Sequence, residues 1–427
     1  MMGGVSEKVA VIGLGRVGLP LALYLAKRGC TVQGIETNET ILGALESGRM
    51  PFLEEGAEEL LSEQYGKRFF AGNDLAVLGE VDTIIVSLGT PVDQFNSPIV
   101  QPIENLVLSM LPHLKEGQLL ILRSTVAPGT TENLGRLIER KTSFRLGRDL
   151  LLSFCPERIA EGKALRELPE VPQIVGGIDE ASTKRAATFF GPLTKSVLET
   201  DARSAELAKL FCNMYRYINF AIANEFMMIA AQHDRDFYPI LDAVNTGYKR
   251  GGLKGPGLTG GPCLYKDGFF LIEKIPFNEL ITGAWKINET VPAYLVEQVR
   301  AHKTIDGSKV AVLGLAFKKD IDDTRNSLAY KLKKLLLAGG ADVHCHDPLV
   351  PSESLAEALL DADIVFLAMN HDEYRELGIA ELRGYVRANT VICDIWNVLE
   401  TNRIVFPISE IEAGRTLDPF PVSATGG

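Results

Sequence analysis

The run Lys8-Val9-Ala10-Val11-Ile12-Gly13-Leu14-Gly15-Arg16-Val17-Gly18 decides the fold. Lys8–Ile12 is an apolar stretch rich in Val and Ile, the composition of a strand buried on both faces of a parallel sheet. The glycines follow as GxGxxG, and Leu19, Leu21, Ala22, Leu25 and Ala26 then recur at helical spacing. Gly29 ends that helix, and Thr31–Ile35 reads as a second strand closing on Glu36. A glycine triplet alone is weak evidence. This one lies between a strand and a helix, with an acidic residue at the end of the next strand. In such a unit the glycines admit a pyrophosphate to the helix N-terminus. The acid accepts a hydrogen bond from a ribose 2′-OH and repels a 2′-phosphate. Gly13, Gly15, Arg16, Val17, Gly18 and Glu36 are therefore expected to bind NAD rather than NADP.

Further strands are expected at Val81–Leu88, Gln118–Leu122 and Leu150–Phe154. The first leads into Gly89-Thr90-Pro91 and the second into Arg123-Ser124-Thr125-Val126. Ligands of open α/β sheets bind beyond the carboxyl ends of strands, so Thr90 and Thr125 are candidates. The alternative is a turn hydroxyl capping a helix. The third strand leads into Cys155-Pro156-Glu157-Arg158, with Glu161 close behind. Two carboxylates there suit base chemistry, or are solvated surface charge.

From Ser204 the texture turns helical: Leu207, Leu210, Phe211, Met214 and Ile218 share one periodicity, which continues past Asn224 to Ile229. Lys209 and Asn213 are one turn apart on one face. Helices are also expected at Tyr238–Asn245 and Lys286–Lys303. Between them runs GGLKGPGLTGGPCLYKD, Gly251 to Asp267, where Cys263 is a candidate nucleophile beside Lys266 and Asp267. A flexible loop with an inert thiol is the competing reading.

Lys309–Leu313 opens a second α/β unit, with strands expected at Ala341–Cys345, Asp363–Ala368 and Val391–Ile395. Only Gly314 remains of the fingerprint, and Asp347 stands a few residues late for the acid. Lys318, Lys319 and Arg325 after the first strand suit an anionic ligand, or form a solvated basic loop. His344 and His346 could share a strand face, but without further ligands they read as structural, and no metal is expected. The tail from Leu417 is expected to be loosely ordered.

At 427 residues, with 46% hydrophobic and 23% charged residues, the chain has the makings of several soluble domains. The division expected is 1–203, 204–303 and 304–427. A net charge of −11 argues against a nucleic-acid partner. Six scattered cysteines without CxxC fit a reducing compartment, and no apolar run is long enough to span a membrane. A cytoplasmic location is expected.

The order of these motifs resembles the nucleotide-sugar 6-dehydrogenases, the UDP-glucose and UDP-N-acetylhexosamine dehydrogenases. The resemblance runs from Val9–Gly18 through Gly89-Thr90-Pro91, Ser124-Thr125-Val126, Pro156-Glu157-Arg158, Ala208-Lys209-Leu210 with Asn213, to Gly260-Gly261-Pro262-Cys263 with Asp267. It implies two Rossmann-like, doubly wound parallel-sheet domains of α/β class, joined by a helical region that makes a homodimer or higher homo-oligomer. It implies oxidation of a UDP-sugar CH2OH to carboxylate with two NAD reduced. Cys263 matches the nucleophile, Lys209 and Asn213 the oxyanion donors, Glu157 the activator of the hydrolytic water, and Asp267 with Thr125 a proton-transfer pair. Thr90, Thr125 and Lys266 are expected on the cofactor side. Arg158, Glu161, Gly260, Lys318 and Arg325 are expected on the substrate side with Glu157, Lys209 and Asn213. Lys249 or Arg250 corresponds to an arginine lent across the dimer. Pro262 and Glu36 depart from the commoner residues. Arg158 after Glu157 leans the sugar toward an N-acetylhexosamine (ManNAc or GlcNAc), whereas Glu161-Gly162-Lys163-Ala164 resembles the UDP-glucose enzymes. A two-electron hydroxyacid dehydrogenase and an inactive binding module are the alternatives. The first would lack the second sheet and the cysteine loop, and the second would have lost the reacting residues.

Overall fold

The computed structural model describes residues 7–94, 96–272 and 275–411. The tail from Leu417 lies outside them. Two α/β sheets organise the chain, each in its own compact unit. The first unit runs to Asn213 and includes Lys266–Pro276; the second comprises Met214–Tyr265 and the chain from Phe277.

The first sheet orders its strands β3-β2-β1-β4-β5-β6-β7-β8. These are β1 Lys8–Ile12, β2 Thr31–Ile35, β3 Phe69–Gly72, β4 Thr83–Val86, β5 Leu119–Leu122, β6 Leu151–Phe154, β7 Gln173–Gly177 and β8 Val197–Asp201. The six from β3 to β6 are parallel, the order of a dinucleotide-binding sheet. β7 runs antiparallel to β6, with β8 parallel to β7. Residues Val9 to Ile12 are at most 4% exposed because helices cover both faces. Burying each such Val or Ile side chain contributes about 1.5–3 kcal/mol. β1 registers Val9 on Val32 and on Thr83, so the chain reverses direction across the sheet at β1. That switch point opens the crevice where ligands bind.

The second sheet is ordered β10-β9-β11-β12-β13. It comprises β9 Lys309–Leu313, β10 Asp342–His346, β11 Ile364–Leu367, β12 Val391–Cys393 and β13 Val405–Pro407, the last antiparallel. The 204–303 stretch holds the helices Ala202–Gln232, Phe237–Asn245 and Glu279–Arg300. The first of these passes from one unit into the other after Asn213. The third begins earlier than the expected Lys286 and tolerates Pro292 inside it. No helix among the described residues is long and apolar enough to cross a membrane.

One expectation needs correction. Asp347 is not late relative to Glu36: both directly follow the second strand of their sheet, after His346 and Ile35. The offset in sequence comes from a longer segment ahead of the following helix, Leu328–Ala338, whereas helix Gly18–Lys27 starts at once.

Candidate active site

In the first unit, the turn after β1 is built from three glycines with three different jobs. Gly13 takes φ +89°, which a side chain would strain, and its N–H reaches Ile35 O at 2.8 Å. A Cβ on Gly18 would overlap the Gly13 carbonyl, so the helix can pack on the turn only with glycine there. A Cβ on Gly15 would meet nothing within 4 Å, leaving open space over the backbone. That is the cradle a pyrophosphate requires. Glu36 Oε2 accepts the Leu14 N–H at 2.8 Å, and Oε1 accepts those of Thr37 and Asn38 at 2.8 and 2.9 Å. Its carboxylate is thereby aimed, yet remains half-exposed. Val17 precedes the helix as its N-cap. Arg16 pairs with Glu161 at 3.1 Å and lies over the Phe52 ring, so a cofactor-side and a substrate-side candidate meet.

A second cluster brings Thr90, Lys266, Asp267 and Asn213 together. Lys266 Nζ donates to Thr90 O at 2.6 Å and to its Oγ1 at 3.3 Å, and sits 4.8 Å over the Phe270 ring. Asp267 is fully buried; its Oδ2 accepts from Asn213 Nδ2 at 2.6 Å. Asp267 Oδ1 lies 3.5 Å from Lys266 Nζ and has no hydrogen-bond partner among the described residues. A buried carboxylate oxygen in this state calls for a specific explanation, a catalytic role among them. Lys209 is half-buried one turn before Asn213, and Thr125 half-buried in the segment between β5 and helix Thr130–Lys141.

Glu157 is 8% exposed and uses both oxygens. Oε1 accepts the N–H of Arg158 at 2.7 Å and of Ile159 at 3.0 Å. Oε2 accepts from Arg123, through Nε at 3.1 Å and through Nη2. Arg123 also donates to Cys155 O and Gln173 Oε1, at 3.1 and 3.0 Å. The Arg158 guanidinium donates to the Pro172 carbonyl. Glu54 accepts from the N–H groups of Gly162 and Ala164 and so orders the segment behind Glu161. Arg123 and Glu54 carry no local spacing signal, because their partners are distant in sequence.

In the second unit, the segment 251–263 lies against the loops at the carboxyl ends of the second sheet. A Cβ on Gly257 would overlap the Trp396 ring, one on Gly260 the Asn326 carbonyl, and one on Gly261 would come 2.5 Å from the Phe317 ring. At all three positions the missing Cβ lets the backbone pack closely on protein. Asn224, fully buried, clamps Gly257 by both backbone groups, accepting its N–H at 2.9 Å and donating to its carbonyl at 3.1 Å. It is backed by Asn288 at 2.9 Å. The loop is thus anchored backbone, and it ends on Cys263.

None of the six cysteines, all among the described residues, forms a disulfide; Cys212 and Cys263 are exposed and the other four buried. Burial pushes the thiols of Cys30 and Cys155 up to about 11 and about 12, and raises those of Cys345 and Cys393. Such thiols stay protonated and inert. Arg325 is exposed and holds the buried Asp323 through both oxygens at 2.9 Å. Lys319 pairs with Asp372, and Lys318 is half-buried in the same segment. Trp396, Tyr238, Phe220, Arg216 and Lys254 line a groove of about 490 Å³. His344 bonds Glu353 at 2.7 Å, while His346 bonds the Tyr374 hydroxyl at 3.0 Å. Among the described residues no three metal-ligating side chains converge.

The fold and the first turn define a dinucleotide-binding α/β protein with a second nucleotide-type sheet. The particular family follows from comparison. Residues 7–194 match the NAD binding domain of the UDP-glucose/GDP-mannose dehydrogenase family, 203–290 its central domain, and 311–401 its UDP binding domain. The chain is 31% identical to the UDP-N-acetyl-D-mannosamine dehydrogenase of Methanocaldococcus jannaschii, over 93% of each chain. The UDP-D-ManNAc dehydrogenase structure from Pyrococcus horikoshii aligns with TM-score 0.85 and 30% identity, covering 92% of this chain and 96% of that one. A UDP-glucose dehydrogenase from Pyrobaculum islandicum aligns at 0.81 and 26% identity, over 92% and 95%. The chain belongs to the UDP-glucose/GDP-mannose dehydrogenase family and is an NAD-dependent UDP-sugar dehydrogenase, acting on a CH–OH group.

Proposed function

We propose that the chain oxidises the C6 hydroxymethyl group of UDP-N-acetyl-D-mannosamine to the carboxylate. The balanced reaction takes two hydrides and one water per sugar and releases three protons. The observation that carries this reading is Cys263: an exposed thiol at the end of an anchored, glycine-rich backbone, in a chain where four of the other five thiols are buried. The name shared by relatives that cover nearly the whole chain supports the sugar.

Gly13, Gly15, Arg16, Val17, Gly18 and Glu36, with Thr90, Thr125 and Lys266, would hold NAD, which when bound would supply the hydride acceptor for both oxidations. Cys263 adds as thiolate to the aldehyde from the first oxidation, forming a carbon–sulfur bond. Loss of the second hydride leaves a thioester, which water cleaves, returning the thiol. Lys209 and Asn213 donate to the oxyanion of each tetrahedral stage. Asp267, whose buried Oδ1 accepts no hydrogen bond among the described residues, exchanges the alcohol proton with Thr125 through water. Glu157, Arg158, Glu161, Gly260, Lys318 and Arg325 hold the substrate, with Glu157 oriented toward the hydrolytic water by Arg123.

The three functional segments are 1–203 for NAD, 204–303 for assembly and the nucleophile, and 304–427 for UDP. Tyr215, Ile222, Phe226 and Ile229 form an exposed apolar stripe on helix Ala202–Gln232. Together with Ile240 and Val244 they line a groove of about 700 Å³. We assign this face to a homodimer, with Lys249 or Arg250 at its edge, in the cytoplasm. Light scattering that gives a monomer at micromolar concentration would remove that assignment.

The reading is tested with a panel of UDP-ManNAc, UDP-GlcNAc and UDP-glucose, following NADH. Two NADH per UDP-ManNAc are expected; one per sugar, or turnover of UDP-glucose alone, overturns it. Cys263→Ser should abolish carboxylate formation, by at least a thousandfold on the scale of nucleophile removal, while NAD affinity is unchanged.

A further inference from the structure

Helix Thr130–Lys141 begins at Gly129, which takes φ +92° and has no side chain to cap the first turn. Free N–H groups at a helix start need an acceptor. Here it comes from another helix. Glu206, 1% exposed, accepts the Gly129 N–H at 2.5 Å on Oε2. Its Oε1 accepts the Thr131 N–H at 2.8 Å and the Thr131 hydroxyl at 2.6 Å. A buried carboxylate at a helix N-terminus is well matched to the local dipole. Its location matters more than its capping. Glu206 sits one turn ahead of Lys209 and two turns ahead of Asn213 on the same helix. The segment it grips is the one that carries Thr125. The far end of that segment is pinned as well, by Arg123 on Glu157.

We propose that Glu206 is a positioning residue that sets Thr125 relative to Lys209 and Asn213, so that proton transfer and oxyanion stabilisation act on one carbon. The proposal rests on the dehydrogenase reading above. Glu206 touches neither substrate nor cofactor; it acts through the backbone at Gly129 and Thr131. A displacement of Thr125 by about 1 Å is enough to cost roughly a hundredfold in rate.

The test uses Glu206→Gln, which keeps the shape and one acceptor but turns an N–H toward Gly129 N–H. Glu206→Asp, which keeps the charge, is the second variant. Arg203→Ala is the control: it removes the exposed Arg203–Glu132 pair at 2.5 Å, a different tie between the same two helices. For Glu206→Gln, kcat should fall about tenfold to a hundredfold, with KM for NAD within twofold. Glu206→Asp should recover part of the loss, and Arg203→Ala should stay within twofold of wild type. Equal losses in Glu206→Gln and Arg203→Ala, an unchanged kcat, or a KM for NAD that rises in step overturn the proposal. Amide hydrogen exchange of residues 124–131 separates this from the wider reading. A wild type that oxidises no UDP-sugar would end the dehydrogenase reading while faster exchange in Glu206→Gln still upheld the anchor. Unchanged exchange there would overturn the anchor whatever the activity.

Discussion

The turns after β1 and β9 use one backbone device in two ways. Gly13 N–H reaches Ile35 O, and Gly314 N–H reaches His346 O, both at 2.8 Å. In each, the next residue donates to the acid that follows the second strand: Leu14 to Glu36, Leu315 to Asp347. Beyond that point they diverge. Glu36 stays half-exposed, whereas Asp347 is 3% exposed. Asp347 accepts from Leu315, Ala316 and Leu349 N–H groups, and His371 Nε2 lies 3.3 Å away. Burial works to raise its carboxyl, but the adjacent His371 imidazole and the backbone hydrogen bonds outweigh that and hold it below the usual range. The helix differs too. Gly18 lets it start against the first turn; the corresponding place after Gly314 is Lys319, and the helix waits until Leu328. An acid at one fixed place in a sheet can thus stay open to solvent or lock a loop, and burial decides which.

The sharpest way to break this contrast is Asp347→Ala. It strands three backbone donors in a buried turn, so a loss of about 4 kcal/mol in unfolding free energy is expected by urea titration. A loss under 1 kcal/mol would mean the turn is not locked by its acid. Gly18→Ala comes next. A Cβ there overlaps backbone that cannot rotate away, at about 3 kcal/mol, so NAD affinity by calorimetry should drop about a hundredfold. Lys319→Ala, at the matching place in the second turn, should change stability by under about 0.5 kcal/mol. Glu36→Ala removes a charged acceptor and should weaken NAD about tenfold while relaxing discrimination against NADP. Unchanged selectivity would take the ribose from Glu36.

A pH-dependent effect tests a strand neighbour of Asp347. Hydrogen bonds to Glu353 first, and also to Asp342, raise the His344 pKa. A raised imidazole value stabilises the fold fully below the unfolded value of about 6.5, and this is lost as pH rises through the folded value. Wild type should exceed His344→Ala by about 0.5 kcal/mol at pH 5.5, with the gap closing toward pH 8.

What was legible in the sequence is what is local. The first turn, the strand ends at Thr90 and Thr125, and the cysteine loop all show through short spacings or glycine clusters. β7 and β8 did not stand out: Gln173–Gly177 ends in two glycines, and Val197–Asp201 is a largely exposed strand with no apolar alternation. Arg123, Glu206, Asn224 and Trp396 could not be found, because each acts on backbone or side chains far along the chain. Glu206 and Gly129 are 77 residues apart, and Asn224 and Gly257 are 33 apart. Asp347 was misplaced because counting from the glycine assumes a helix that begins as early as the first one does.

The sealed thiols have a consequence for handling the protein. Cys30 and Cys155 lie in the first unit and Cys345 and Cys393 in the second. A thiol reagent added to the native protein has two sites to modify, and four more emerge only when a sheet comes apart. Uptake beyond two equivalents therefore clocks opening events. Peptide mapping of the modified residues tells which half opened, so the chain carries its own fold-integrity dye without any label being engineered into it.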